Sequence, residues 1–113
     1  MSRDPRALLW DALDAARAVA GFLEGQTEAG YLADPLRRAA VERKCEVIGE
    51  ALGRLARTAP ELAARIPELP RVVAFRNLLI HGYAVVDDVL VWRTATRELP
   101  ALRDRLQALL DEG

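Results

Sequence analysis

Apolar side chains recur along the chain with helical spacing, and nowhere do they alternate convincingly as in a strand. Asp4 followed by Pro5 reads as an N-cap and first helical position. Leu8, Leu9, Ala12, Leu13, Ala16, Val19, Ala20 and Leu23 then trace one face of a helix that ends near Gly25. Asp34-Pro35 repeats the start signal, and Leu36, Ala40, Val47, Ile48, Ala51, Leu52 and Leu55 carry an apolar face to about Arg57, so these two helices can pair as an antiparallel hairpin. Thr58 to Ile66 has room for one or two helical turns before Pro67 and Pro70 turn the chain. From Pro70 to His81 apolar residues leave little polar circumference, which predicts a central helix buried on most sides, closed by Gly82. Asp87 or Asp88 opens a last helix through Val89, Trp92, Leu99, Leu102, Leu106 and Leu109, with a kink expected at Pro100. The pattern predicts an all-α bundle of about four long helices plus a short helical segment.

Composition narrows the function classes. The 113 residues suit one domain over 1–113 and leave no room for a separate cofactor-binding lobe. Hydrophobic residues make up 51% and charged residues 29%, which fits a folded core without a metal or disulfide staple. The formal net charge of -1 gives no bulk attraction to DNA or to an anionic membrane, so neither is an expected partner. Cys45 and His81 are the sole residues of their types, which leaves no disulfide and no Cys/His zinc cluster. Charges at Asp11, Asp14 and Arg17 interrupt the apolar positions after Met1, and no apolar run is long enough to span a membrane, so a cytoplasmic location is expected.

The chemistry concentrates in Arg76-Asn77-Leu78-Leu79-Ile80-His81-Gly82-Tyr83, where polar groups cluster around the end of an apolar helix. Helical geometry puts Asn77 and His81 on nearly the same face, with Arg76 and His81 roughly 140° apart. Histidine is the side chain whose ordinary pKa lies nearest neutrality, so His81 is a candidate proton-transfer group. Arg76 is a candidate bidentate phosphate contact. A purely structural alternative has Arg76 and His81 capping the helix, Asn77 satisfying a backbone group and Tyr83 packing under the bundle.

The spacing Arg, four residues, His, one residue, Tyr resembles the signature of HepT-like members of the HEPN superfamily. The resemblance extends to Arg37-Arg38-Ala39-Ala40 leading into Val47-Ile48-Gly49-Glu50-Ala51-Leu52, to Ile66-Pro67, to Val85 through Val91 and to Glu98-Leu99-Pro100-Ala101-Leu102. It departs at Leu69-Pro70-Arg71, where relatives often carry an aromatic residue. The resemblance implies an antiparallel HEPN bundle and a metal-independent ribonuclease with no cofactor, cutting RNA at the cleft of a homodimer. Arg76 and His81 would be catalytic, with Asn77 supporting them. It further implies a toxin paired with a MntA-like minimal nucleotidyltransferase antitoxin, which would transfer AMP to Tyr83. The rival reading is a non-catalytic helical substrate-binding partner of such a nucleotidyltransferase.

Three further features stay open in the sequence. Arg37, Arg38, Arg43 and Lys44 form either a basic patch or, with Glu42 and Glu46 interleaved, a solvated face. Glu50 either supports Arg76 or is a surface residue. Cys45 reads as packed, because no catalytic dyad adjoins it.

Overall fold

The computed structural model describes residues 4–81 and 86–112. Helices account for nearly all of them, and no strand occurs among the described residues, as an all-α bundle requires. Helix α1 spans Pro5–Leu23, and the Asp4 carboxylate accepts from the Arg6 backbone N–H at 2.8 Å. It stops where Gly25 turns to φ 74°, a left-handed conformation that costs other residues roughly 1–2 kcal/mol. Helix α3, Pro35–Thr58, starts at Asp34, whose carboxylate accepts from the Arg37 N–H at 3.0 Å. These two helices form the anticipated hairpin.

Between them lies a five-residue helix, α2, Glu28–Leu32, which the apolar pattern did not reveal. Thr27 caps it through the Gly30 N–H, and its single turn carries Tyr31 to a fully buried position 5.5 Å from the Trp92 ring. Helix α4, Pro60–Ala63, is the anticipated short segment. Helix α5, Leu69–His81, follows it.

The last apolar stretch divides differently from the prediction. Helix α6, Asp88–Arg93, begins at the Asp87 cap, a π-helical turn covers Thr94–Glu98, and α7 runs Leu99–Asp111. The Leu99 N–H reaches back five residues to the Thr94 carbonyl. Pro100 therefore falls at the start of a new helical segment, where its missing N–H is tolerated. A π turn, rather than an interior proline kink, absorbs the change of register.

Helix α1 packs against α3 on one side and α7 on another, while α5 lies on α3. Leu8, Leu13, Val19, Ile48, Leu52, Leu55, Leu102 and Leu106 belong to one continuous core, each such burial contributing about 1.5–3 kcal/mol. Helix α5 is the exception to its predicted centrality. It buries Leu69, Val72 and Phe75, whereas Leu78 is 60% exposed and Ile80 40%. Among the described elements α3 is its main support, and Leu78 and Ile80 stay exposed on its surface. No helix among the described residues is long and apolar enough to cross a membrane.

Candidate functional site

The position of Arg76 is set by a glycine on the neighbouring helix. Gly49 is buried where α3 meets α5, and a Cβ there would lie 2.2 Å from the Arg76 Cβ and 2.6 Å from its Cγ. Only a residue without a side chain allows the stem of Arg76 to lie against α3. The next residue, Glu50, takes the Arg76 Nη2–H on its carboxylate at 2.6 Å and also accepts from Arg54 Nε at 3.2 Å. Asn77 Oδ1 accepts from Arg76 Nη1 at 3.2 Å. The guanidinium is thus held at two nitrogens, while Nε is buried with no hydrogen-bond partner among the described residues. Glu50, left undecided in the sequence, touches Arg76 directly.

Arg76 opens onto a groove of about 570 Å³ between α1, α3 and α5. Leu8, Asp11, Asp14 and Ala15 supply one wall; residues of α3 from Arg43 to Arg54 supply another; Arg76 and Ile80 close the α5 side. His81 is exposed as the last residue of α5 and does not line this groove. Among the described residues, hydrogen bonds bring Arg76, Asn77 and Glu50 together, and His81 is not joined to them by any. Tyr83 and Gly82 lie outside the described residues.

The four cations early in α3 divide into separate roles. Arg37 donates to the Phe22 carbonyl at 2.6 Å and to Asp34 at 3.2 Å, tying the α1 end to the α3 start. Arg38 pairs with Asp88 at 2.9 Å, fixing the beginning of α6 on α3. Arg43 pairs with Glu46 at 3.3 Å, and only Arg43 and Lys44 of the four face the groove. They form no common patch.

Beside the Arg38–Asp88 pair lies a partly buried polar cluster that the sequence did not announce. The Tyr31 hydroxyl is buried without a hydrogen-bond partner among the described residues, and desolvation, with Glu42 and Asp88 nearby, pushes its pKa upward. Burial and the Asp88 charge likewise raise the Glu42 carboxyl. Cys45 is buried and free, its thiol pushed up to about 12 by burial and by Glu42 and Glu46, which fits the packed reading. Among the described residues no group of three His, Cys, Asp or Glu side chains converges in a way that would hold a metal ion.

An all-α bundle with an arginine held in a groove five positions before an exposed histidine is the layout that the resemblance to HEPN-type chains implies. The family model described as ribonuclease HepT-like matches residues 12–109, and the protein belongs to that family. Among its relatives, a candidate RNase of Methanocaldococcus jannaschii is 30% identical over 107 residues, covering 93% of this chain and 95% of the relative. A candidate ribonuclease HepT of Thermococcus cleftensis is 30% identical over 112 residues, covering 96% of this chain and 98% of the relative. A third, a candidate RNase of Caldanaerobacter subterraneus, is 26% identical over 110 residues, covering 97% of each. No solved structure matches significantly.

Proposed function

We propose that the protein is a metal-independent endoribonuclease, acting as one domain over residues 1–113. It is the cytoplasmic toxin of a HepT/MntA-type toxin-antitoxin module. The observation that carries this reading is the fixed guanidinium of Arg76, held by Glu50 in an open groove, with His81 exposed five residues further on. The names of the relatives support RNA as the substrate.

Cleavage requires a base to take the proton of the ribose 2′-hydroxyl, whose oxygen attacks the adjacent phosphorus. It also requires an acid to protonate the departing 5′-oxygen and a cation to stabilise the charge on the pentacoordinate phosphorus. The products are a 2′,3′-cyclic phosphate and a 5′-hydroxyl. Arg76 supplies the cation, with Asn77 and Glu50 orienting it. His81 transfers protons, and two copies of the chain supply the two groups that the reaction needs. Exposed apolar side chains on α5 and α6 support a homodimer: Leu78 and Leu90 stand around a groove of about 300 Å³ that also includes Ala74 and Phe75.

Neutralisation follows from transfer of AMP to the Tyr83 hydroxyl by a MntA-like nucleotidyltransferase, which places a negative charge and a nucleoside beside the motif and repels RNA. Purified wild type should cut total cellular RNA, and Arg76→Ala and His81→Ala should not, with helical circular dichroism unchanged. Co-expression with the nucleotidyltransferase should add AMP to the Tyr83 peptide. A folded, unmodified wild type that cuts no RNA contradicts the enzyme reading, and AMP found solely on Tyr31 contradicts the switch.

A further inference from the structure

The groove beside Arg76 has a charge pattern that a simple phosphate track would not have. Its cations, Arg43, Lys44, Arg54 and Arg76, come from α3 and α5, and its α1 wall carries Asp11 and Asp14. Most of the cations are already engaged: Arg43 by Glu46, Arg54 and Arg76 by Glu50. Among the described residues no carboxylate pairs with Lys44, which leaves its ammonium available to a phosphate. Lys44 and Glu50 are six residues apart on α3, roughly 9 Å along the axis, so an anion at Lys44 lies beside, and separate from, one at Arg76. Between the two walls the lining includes half-buried Val47 beside Ala15 and Ala51, which belong to the core, so Val47 supplies the apolar contact for a flat ring.

A ligand that fits carries an anion at one edge, a flat apolar body, and hydrogen-bond donors at the opposite edge. A nucleotide has that layout. Carboxylates accept hydrogen bonds and donate none when ionised, so Asp14 on the α1 wall selects bases that present N–H groups. Guanine alone presents two neighbouring donors, N1–H and the 2-amino group, which match the two oxygens of one carboxylate; adenine and cytosine offer one amino group, and uracil one imide N–H between two carbonyls.

We infer that this groove is a guanine-selective nucleotide subsite, with Lys44 on the phosphate and Asp14 on the Watson–Crick edge of the base. The inference rests on the ribonuclease reading in placing this nucleotide next to the scissile phosphate at Arg76. In RNA the base is then unstacked and read by its edge, the usual mode for single-stranded RNA.

The test uses the full chain and four probes, GMP, AMP, CMP and UMP, titrated separately and followed by backbone amide NMR. GMP should shift amides of α1 near Asp14 and of α3 from Lys44 to Ala51, and bind roughly tenfold tighter than UMP. Asp14→Asn should erase most of the preference for GMP, whereas Lys44→Gln should weaken all four nucleotides by a similar factor. Binding of the four bases with equal affinity, shifts confined to other surfaces, or a guanine preference that survives Asp14→Asn would overturn the subsite. Cleavage-site sequencing separates the two readings. Cuts flanked by guanine in wild type and losing that bias in Asp14→Asn support both; guanine binding by a chain that cuts nothing leaves the subsite standing and removes the nuclease; cuts with no base bias remove the subsite and leave the nuclease.

Discussion

Replacing Gly49 with alanine tests the contact that places Arg76. The new Cβ would sit 2.2 Å from the Arg76 Cβ and 2.6 Å from its Cγ, atoms close to the α5 backbone that cannot swing aside as a side-chain tip can. Helices α3 and α5 must move apart, and overpacking of this kind costs about 1–3 kcal/mol. Alanine also favours the helix over glycine by about 1 kcal/mol, which masks part of the cost. Gly53→Ala is the matched control, because it lies in the same helix and its Cβ would meet only Arg57 Nη1 at an ordinary 3.7 Å. The control should gain up to about 1 kcal/mol, and Gly49→Ala should fall below it by about 1–3 kcal/mol. For a chain of this size that difference is about 4–12 °C in Tm, measurable by calorimetry and by urea unfolding. RNA cleavage should fall more steeply than stability, on the order of a hundredfold, because a displacement near 1 Å at a positioning group is enough. Equal stability of Gly49→Ala and Gly53→Ala, with equal cleavage, would refute the glycine-dependent seating of Arg76.

Two carboxylates should give opposite pH signatures. Arg105 holds Glu68 through hydrogen bonds at 2.8 and 3.2 Å and lowers its pKa. The stability that Glu68 contributes is present above its ordinary pKa and lost as pH falls through the lowered value, so Glu68→Gln should destabilise at neutral pH and match wild type in acid. Glu42 is raised by burial first and by Asp88 second, and it faces Arg38 and Glu46 as well. Its contribution is present below its ordinary pKa and lost as pH rises through the raised one, so Glu42→Gln should be the more stable form at neutral pH, with the gain vanishing in acid. Urea midpoints from pH 3 to 8 check both signs. Leu78→Asp should change monomer stability by less than about 0.5 kcal/mol, since the side chain is 60% exposed, while reducing self-association and cleavage together; sedimentation showing wild type and variant alike would contradict the proposed dimer face.

The boundaries set by local chemistry were legible in the sequence. Asp4-Pro5 and Asp34-Pro35 begin helices where the cap and proline rules place them, and Gly25 ends α1 through its positive φ. Helix α2 was not legible, because five residues are too few to show a 3.6-residue period, although Thr27 followed by Glu28 was a usable cap signal. Helix α5 was misjudged for a different reason. Apolar residues around a whole helix show that its surface avoids water, and the pattern is the same whether the cover comes from its own bundle or from elsewhere. The π turn was missed because Pro100 reads as a kink until the Thr94 to Leu99 register is seen. At the site, the motif Arg76 to His81 was visible as a spacing, but the roles of Gly49 and Glu50 depend on α3 and α5 meeting, across 26 residues from Glu50 to Arg76. No local pattern encodes that contact. The charges of Arg37 and Arg38 were visible, whereas their use as ties to Phe22 and Asp88 became clear only in three dimensions.

The central claim is metal-free cleavage by Arg76 and His81, and the chemistry of the RNA ends tests it most directly. Unmodified wild type incubated with RNA in excess EDTA should yield fragments ending in 2′,3′-cyclic phosphate and beginning with 5′-hydroxyl, resolved by mass spectrometry, and His81→Ala should yield none. Activity lost on chelation and restored by a divalent cation, or fragments carrying 5′-phosphate, would contradict the account.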